Sequence, residues 1–261
     1  MAAYQKTATV SRRETLGEDI FRLTLQAPEI ARHAQPGQFV MVKTVAGSDP
    51  LLRRPFSIHQ ITDDDQVQIL FKALGKGTRL LAGVAVGQSL DVVGPLGRGF
   101  SPPATSHVCL VGGGMGIAPL FFWASHLLRS GRPMEILALL GARTREELAS
   151  LASDMAQLGL SVRSATDDGS LGHHGLVVDL LADLGPEPGW SVYACGPYPM
   201  MHAVARQCMA SGRPCQVSLE TMMACGLAAC LGCAVPSKAG AGYLHVCKEG
   251  PVFAAEDVAW P

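Results

Sequence analysis

The chain has 261 residues, a formal net charge of −1 and only 16% charged residues. This length allows two compact domains and a small appendage. The near-neutral charge and the lack of a basic cluster argue against binding to nucleic acid or to an anionic membrane surface. The first ten residues, MAAYQKTATV, lack the apolar core of a signal peptide, so we expect a cytoplasmic protein with reduced cysteines.

The first hundred residues predict an antiparallel β barrel. Turn-forming clusters of Gly, Pro and Asp separate short runs of alternating apolar and polar residues, at 20–27, 38–45, 56–61, 66–74 and 89–94. Several short strands in so few residues are typical of a small barrel. The segment 77–83 is the single predicted helix of this region.

Two segments of the barrel combine residues that suit a phosphate-bearing ligand. The sequence RRPFS at 53–57 places a guanidinium, a rigid proline and a hydroxyl at the start of a strand. The sequence LFKALGKGT at 70–78 offers an extended backbone followed by a turn whose N–H groups can contact a phosphate. Each segment alone is also common in ordinary loops and hairpins.

From residue 106 onward, apolar strands alternate with helices, which predicts a parallel sheet flanked by helices. The first unit, VCLVGGGMGIAPL, differs in spacing from the G-x-G-x-x-G fingerprint. Its glycines nevertheless allow backbone amides to approach a pyrophosphate, and Pro119 suits the first turn of the following helix. A purely structural turn is the alternative. The uncharged stretch 108–128 is long enough to cross a bilayer, but its central glycines favour a buried strand, turn and helix.

A later strand ends in Cys195-Gly196-Pro197, at the edge of the sheet where ligands bind in such folds. A thiol at this rim could touch a nicotinamide ring. Cysteine is also a common buried residue, and burial alone would explain it.

The C-terminal stretch carries four cysteines, Cys225, Cys230, Cys233 and Cys247. Their spacing is the C-x4-C-x2-C…C pattern that plant-type [2Fe–2S] sites use. The residues within the loop are mostly small, so backbone N–H groups can point at the sulfurs. Structural zinc is the main alternative, but its usual layout is two separated pairs of cysteines. Three cysteines crowded into one loop favour the cluster.

The motifs R-P-F-S, G-K-G-T, G-G-G-x-G-x-A-P and C-G-P, followed by the four cysteines, occur in a specific order. With them, the whole chain resembles the ferredoxin reductase-like flavoproteins, and it is most similar to the electron transfer subunits of type B dihydroorotate dehydrogenases. The resemblance implies three domains: an FAD-binding β barrel at 1–102, an NAD-binding α/β domain at 103–218 and a [2Fe–2S] domain at 219–261.

The resemblance also assigns cofactors to matching residues. FAD would be held by Arg54, Pro55, Phe56, Ser57, Leu70, Phe71, Lys72, Gly77 and Thr78. The nicotinamide nucleotide would lie over Gly112, Gly113, Gly114 and Gly116 and beside Cys195, Gly196 and Pro197. The cluster ligands would be Cys225, Cys230, Cys233 and Cys247. Three features depart from the family. Phe56 replaces a common Tyr, and Ala229, where a second glycine is expected, leaves less room for the backbone to approach the cluster. No arginine follows Glu220, and we expect Glu220 to have no catalytic role.

The implied activity is that of an oxidoreductase subunit in pyrimidine biosynthesis, transferring electrons through [2Fe–2S] and FAD to NAD+. An FMN-containing catalytic partner would oxidise dihydroorotate, and two copies of each subunit would form a heterotetramer. No catalytic residue is required in this chain, because the cofactors carry the electron chemistry. Two alternatives stay open: the FAD and iron–sulfur subunit of a sulfhydrogenase or ferredoxin-dependent transhydrogenase, and a zinc-stabilised binding module without enzymatic activity.

Charged residues after two strands bear on the choice between NAD and NADP. Asp167 and Asp168 follow the third strand of the sheet, where a carboxylate repels a 2′-phosphate and favours NAD. Arg143 and Arg145 follow the second strand and would attract such a phosphate. The balance favours NAD.

Overall fold

The computed structural model describes residues 3–185, 189–238, 240 and 242–260. It contains the predicted N-terminal barrel, the predicted parallel sheet with its flanking helices, and a short C-terminal segment that carries the cysteine loop. Both predicted architectures are confirmed.

The barrel consists of six antiparallel strands that close in the order β1-β2-β5-β4-β3-β6. These strands are β1 (Tyr4–Gly17), β2 (Ile20–Gln26), β3 (Phe39–Lys43), β4 (Arg54–Ile61), β5 (Gln66–Lys72) and β6 (Ser89–Leu96), with helices α1 (Pro28–Ala31) and α2 (Lys76–Ala82) between them. Alternate side chains point inward, and Leu23, Ile58 and Ile69 are fully buried in the barrel core.

Strand β1 is not among the runs that alternation predicts, although it is 14 residues long. Only Ala8 and Val10 of this strand are buried, and irregular register after Val10 and after Thr15 interrupts the alternation. Pairing with β2 on one side and β6 on the other therefore holds a strand that has little apolar signal of its own.

The second part is a seven-stranded sheet with the order β10-β9-β8-β7-β11-β12-β15. Its seven strands are β7 (His107–Gly113), β8 (Glu135–Ala142), β9 (Ser161–Thr166), β10 (His173–His174), β11 (Trp190–Cys195), β12 (Cys215–Ser218) and β15 (Val252–Ala254). Its helices are α3 (Ile117–Arg129), α4 (Arg145–Gln157), α5 (Val177–Ala182) and α6 (Tyr198–Ala210). The strand order reverses next to β7, the point at which open α/β sheets bind ligands. The uncharged stretch 108–128 forms β7 and α3, and no helix among the described residues is long and apolar enough to span a membrane.

The C-terminal segment connects the barrel and the sheet. It contributes β13 (Ala234–Pro236), β14 (Tyr243–His245) and β15 (Val252–Ala254), and β15 adds to the sheet edge antiparallel to β12. Phe253 and Cys247 belong to the same buried cluster as Met41 and Leu96 of the barrel. The cysteine loop is therefore anchored to both larger parts of the molecule.

A buried histidine marks the interface between the barrel and α3. His59 of β4 is 1% exposed, stacks on Phe121 at 4.5 Å between ring centroids, and places Nδ1 3.3 Å from the carbonyl oxygen of Ala118. Burial lowers the pKa of His59 to about 3, so the ring is neutral at physiological pH. Nearby, Arg22 of β2 bridges Glu14 and Asp154 of α4 at 3.0 and 2.8 Å. These contacts set how the barrel meets the sheet.

Candidate cofactor and cluster site

The first cavity lies between the barrel and the sheet and has a volume of about 320 Å³. It is lined by all of the residues predicted to hold FAD except Arg54 and Gly77. Pro55, Phe56 and Leu70 make much of its wall apolar, and Ser57 adds a hydroxyl. A mostly apolar cavity with a few polar groups suits a planar ring such as that of a flavin.

Arg54 and Gly77 lie against each other beside this cavity. A β-carbon on Gly77 would lie 3.1 Å from Nε of Arg54, so a larger residue would crowd the guanidinium at the start of α2. Oγ1 of Thr78 accepts hydrogen bonds from the backbone N–H groups of Leu74 and Gly75, both at 3.0 Å, and these bonds hold the turn. A guanidinium beside the first N–H groups of a helix suits a phosphate. The two barrel segments, each unspecific alone, thus meet beside the first cavity.

The segment that precedes the cysteine loop forms another part of this cavity. Leu219, Glu220, Thr221 and Met223 all line it, although none of them is among the predicted cofactor-binding residues. Their only signal in the sequence is that they directly precede the first cysteine of the loop. Glu220, for which we expect no catalytic role, therefore stands at the wall of the predicted flavin cavity.

The second cavity has a volume of about 490 Å³ and opens at the carboxyl ends of β7, β8 and β9. Of the glycines predicted to bind the nucleotide, Gly113 and Gly114 line it, whereas Gly112 and Gly116 do not. A β-carbon on Gly112 would lie 2.8 Å from the side chain of the first residue of α3, and one on Gly116 would lie 2.1 Å from the carbonyl oxygen of Cys195. Two glycines thus face the cavity, and two permit close packing around it.

The Cys195-Gly196-Pro197 segment contributes to this cavity through Pro197. Cys195 is fully buried and lines neither cavity. Burial raises the pKa of its thiol far above the ordinary range, so Cys195 stays protonated. A contact between Cys195 and a nicotinamide ring stays a prediction. In the structure, the thiol of Cys195 interacts with the side chain of Ser218, and its backbone carbonyl lies against Gly116.

Four charged side chains line the second cavity: Lys72, Glu147, Arg143 and Asp167. Nζ of Lys72 lies 2.7 Å from Oε1 of Glu147, and Nη2 of Arg143 lies 2.5 Å from the same oxygen. The hydrogen bond from Arg143 is the largest of the effects that lower the pKa of Glu147 to about 2. Glu147 is missing from the residues predicted to bind a cofactor. Its one signal in the sequence is the i,i+4 spacing from Arg143.

The other charges considered for nucleotide choice do not line the cavity. The carboxylate of Asp168 accepts hydrogen bonds from the backbone N and the hydroxyl of Ser170, at 3.0 and 2.6 Å. Nε of Arg145 donates to the carbonyl oxygen of the same serine at 2.9 Å. Asp168 and Arg145 therefore stabilise the loop after β9.

The two cavities share a wall formed by Lys72, Leu74 and Met115. Met115 is the non-glycine residue within the motif at 112–116, and nothing in the sequence places it between the cavities. Ligands bound in the two cavities would meet at this wall.

The cysteine loop has a backbone shaped to surround sulfur atoms. Gly226, Ala228 and Leu231 all have positive φ angles, of 71°, 59° and 60°. A β-carbon on Gly226 would lie 2.6 Å from Cγ of Met41, so this position excludes larger residues. Of the two adjacent alanines, Ala228 has the backbone conformation that favours glycine. Ala229, where the family comparison leads us to expect a glycine, is exposed.

Backbone N–H groups in this loop point at the thiols. Leu227 donates to Sγ of Cys225 at 3.3 Å, and Ala228 donates to Sγ of Cys247 at the same distance. Burial alone would raise the pKa of Cys225, but hydrogen bonds from the backbone, with Leu227 first, lower it to about 7. This environment favours the thiolate, which is the form that binds iron.

The four thiols form two pairs. Sγ of Cys233 lies 3.2 Å from Sγ of Cys247, while Cys225 accepts a hydrogen bond from the backbone N of Cys230 at 3.4 Å and interacts with its thiol. Among the residues that the structure describes, no three metal-ligating side chains converge on one point as the ligands of a single ion do. Two pairs of thiols suit a binuclear cluster, in which each of two irons takes two of the four thiolates.

Comparison with known proteins agrees with this division of the site. The family described as "Iron-sulfur cluster binding domain of dihydroorotate dehydrogenase B" matches residues 220–259. The families "Oxidoreductase FAD-binding domain" and "Oxidoreductase NAD-binding domain" match residues 7–100 and 110–206. The predicted cofactors, FAD, an iron–sulfur cluster and NAD, are confirmed at this level, and the zinc-stabilised binding module is not supported.

Curated relatives match nearly the whole chain. The electron transfer subunit of dihydroorotate dehydrogenase B (NAD(+)) from Geobacillus kaustophilus is 41% identical, over 96% of each chain. The same subunit from Desulforamulus reducens is 39% identical, over 92% of each chain. A solved structure of an NADH-dependent reduced ferredoxin–NADP oxidoreductase has a TM-score of 0.87 and 29% identity, over 98% of this chain and 90% of that chain. The chain therefore belongs to the family of electron transfer subunits of NAD-dependent dihydroorotate dehydrogenase B.

Proposed function

We propose that this chain carries electrons between NAD(H) and an FMN-containing partner subunit that oxidises dihydroorotate. The observation that supports the proposal is the arrangement of three sites in series. The second cavity shares a wall with the first cavity. The first cavity is in turn lined by Leu219, Glu220, Thr221 and Met223, which directly precede the cysteine loop. This order matches the order of cofactors that such a transfer requires.

Each site would hold its group through residues already described. In the first cavity, Pro55, Phe56 and Leu70 would exclude water from a flavin ring, and Arg54 with the start of α2 would bind its phosphates. In the second cavity, the backbone of Gly113 and Gly114 would face the pyrophosphate of NAD.

The four cysteines would hold the cluster as thiolates, stabilised by the backbone N–H groups of their loop. A bound flavin supplies the chemistry that links the two other groups, because it exchanges electrons in pairs with a nicotinamide and singly with a cluster. None of these roles needs a catalytic acid or base from this chain.

The surface around the cysteine loop supports the docking of a partner. Three apolar side chains near the cysteines face solvent: Met222 is 89% exposed, Leu227 54% and Leu231 57%. Clustered exposed apolar groups are typical of protein interfaces. A partner that covers them would bring its own cofactor near the cluster. From the resemblance to the family, we further propose two copies of each subunit, a cytoplasmic location and a role in pyrimidine biosynthesis.

A second candidate function is electron transfer to a ferredoxin-linked oxidoreductase. The solved structure with a TM-score of 0.87 favours it, since its printed description concerns ferredoxin and NADP. The curated relatives, at up to 41% identity, favour dihydroorotate oxidation instead. Purifying the chain from its host and identifying the stoichiometric companion by mass distinguishes the two.

Replacing one cluster ligand tests the proposed path. In the complex with the catalytic partner, Cys230→Ser should abolish dihydroorotate-dependent reduction of NAD+ while the partner still reduces a dye through its FMN. Iron content should fall in parallel. Ala229→Ser is the matched control, because it adds a hydroxyl at the exposed neighbouring position and should retain both iron and activity. NAD+ reduction at the wild-type rate in Cys230→Ser would overturn the proposal.

A further inference from the structure

Helix α4 presents a row of polar side chains to the barrel. Glu147, Ser150 and Asp154 are spaced three and four residues apart, so they lie on one face of the helix. Oγ of Ser150 donates to the carbonyl oxygen of Leu16 at 2.6 Å. Oδ2 of Asp154 lies 2.8 Å from Nη1 of Arg22. This face of α4 therefore joins the sheet to the barrel through polar contacts.

Glu147 differs from the other two side chains because its barrel partner lies between the cavities. Oε1 of Glu147 lies 2.7 Å from Nζ of Lys72. Lys72 lines both cavities, and Glu147 lines the second. Ser150 and Asp154 line neither cavity. The ion pair between Glu147 and Lys72 thus ties the wall that the two cavities share to helix α4.

Both ends of this ion pair are held in place. Lys72 is the last residue of β5, and the backbone N–H of Ala73 donates to the carbonyl oxygen of Asp19 at 2.7 Å. On the sheet side, Nη2 of Arg143 lies 2.5 Å from the same oxygen of Glu147. The side chains of Lys72 and Glu147 are 18% and 22% exposed, so water screens their attraction less than that of a fully exposed pair. The ion pair therefore fixes the shared wall relative to α4.

Electron transfer between the two proposed ligands depends on the position of this wall. In that step the C–H bond of the dihydronicotinamide breaks, an N–H bond forms on the flavin, and both electrons travel with the proton, so NAD+ and reduced flavin result. Such a transfer needs the reacting atoms about 3–3.5 Å apart, and a displacement of about 1 Å lowers the rate by about a hundredfold. The two rings would meet at the wall that Lys72 helps to form.

We propose that Glu147 is a positioning residue for hydride transfer between NAD(H) and FAD, because its ion pair with Lys72 fixes the wall between the two cavities relative to α4. The inference rests on the proposed binding of FAD in the first cavity and of NAD(H) in the second. Glu147 itself neither contacts the reacting atoms nor exchanges a proton with them. It acts by setting the distance between the two ligands.

The test follows the anaerobic reaction of NADH with the flavin-loaded complex by stopped-flow absorbance. Glu147→Gln keeps the side-chain shape and removes the charge. The limiting rate of flavin reduction should fall by at least about tenfold, and the long-wavelength charge-transfer band of a nicotinamide stacked on the flavin should weaken. Affinity for ADP-ribose, which lacks the nicotinamide, should change by less than about threefold in calorimetry.

The direction of the rate change separates position from charge. Removing the carboxylate leaves the ammonium of Lys72 less compensated beside the first cavity, and a nearby positive charge stabilises electrons added to a flavin. The change in charge alone would therefore speed flavin reduction. A slower reaction in Glu147→Gln reports displaced geometry.

Asp154→Asn is the matched control, because it removes another ion pair between α4 and the barrel at a residue that lines neither cavity. Both variants should lower the melting temperature. Asp154→Asn should nevertheless retain the charge-transfer band and keep the rate of flavin reduction within about threefold of the wild-type rate. If Glu147→Gln loses FAD or unfolds, Lys72→Met removes the same ion pair from the barrel side and should weaken the band per bound FAD.

Each contrary result has a distinct meaning. Equal rates and equal bands in stable Glu147→Gln and Asp154→Asn proteins would overturn the inference and leave the proposed function standing. An undiminished band in Lys72→Met would do the same. If NADH does not reduce the flavin of the wild-type complex, both the inference and the proposed function fail.

Discussion

The close approach of Gly116 to Cys195 predicts a large effect from one added methyl group. Gly116 has φ −61° and ψ −13°, a conformation that alanine adopts freely, so Gly116→Ala introduces no backbone strain of its own. The added β-carbon would, however, lie 2.1 Å from the carbonyl oxygen of Cys195 and 2.5 Å from the backbone N of Gly196. Because both contacts are with backbone, no side-chain rotation relieves them.

The size of the effect follows from this clash. Overpacking of a well-packed core costs about 1–3 kcal/mol, and a clash with backbone belongs at the upper end, about 3 kcal/mol. For a chain of this length, such a loss lowers the melting temperature by about 6–12 °C. The clash also displaces the segment that carries Pro197, which lines the second cavity, so affinity for NADH should fall as well.

The assay is thermal unfolding combined with titration of NADH. Gly47→Ala is the control, because Gly47 is an exposed loop residue with no atom within 4 Å of its added β-carbon. This variant should change stability by less than about 0.5 kcal/mol. If Gly116→Ala melts and binds NADH as Gly47→Ala does, the glycine motif and the Cys195-Gly196-Pro197 segment do not pack as described.

Two further predictions concern acid stability and partner docking. The unfolded chain protonates His59 near pH 6.5 but the folded protein only near pH 3, so stability is lost as the pH falls from about 6.5 towards 3. His59→Phe should reduce this slope in urea unfolding measured between pH 4 and 7, and parallel curves for the two proteins would contradict the buried neutral histidine. At the cysteine loop, Leu227→Glu should weaken association with the FMN-containing partner by about tenfold or more without loss of iron. Leu128→Glu, at an exposed leucine of α3, should leave association unchanged, and equal sedimentation of both complexes would rule out docking at the loop.

The sequence predicts those parts of the site whose residues lie close together in the chain. Three of the cysteines lie within nine residues, and their spacing alone indicates an iron–sulfur cluster. The glycine motif at 112–116 lies between a strand and a helix that are both clear from their apolar residues. The family resemblance adds the order of these motifs along the chain, and with it the identity of the three cofactors.

Some residues escaped prediction because their position depends on distant partners. Glu147 looks like an ordinary exposed helical residue, and only the packing of α4 against the barrel brings it to Lys72. Ala228 carries no sign of its positive φ angle, since that angle comes from the way the loop surrounds the thiols. Strand β1 has too few buried residues to be recognised and depends on pairing with two neighbours.

By itself, the sequence determined the classes of secondary structure, the spacing of the cysteine loop and the glycine turn, because each depends on residues close together in the chain. Only the tertiary structure decided how these segments pack together to form the walls of the two cavities. Met115 and Lys72 separate two cavities, and the segment 219–223 links one of them to the cysteines. The physical reason is that contacts between distant segments depend on the packing of whole surfaces, which no short stretch of sequence specifies.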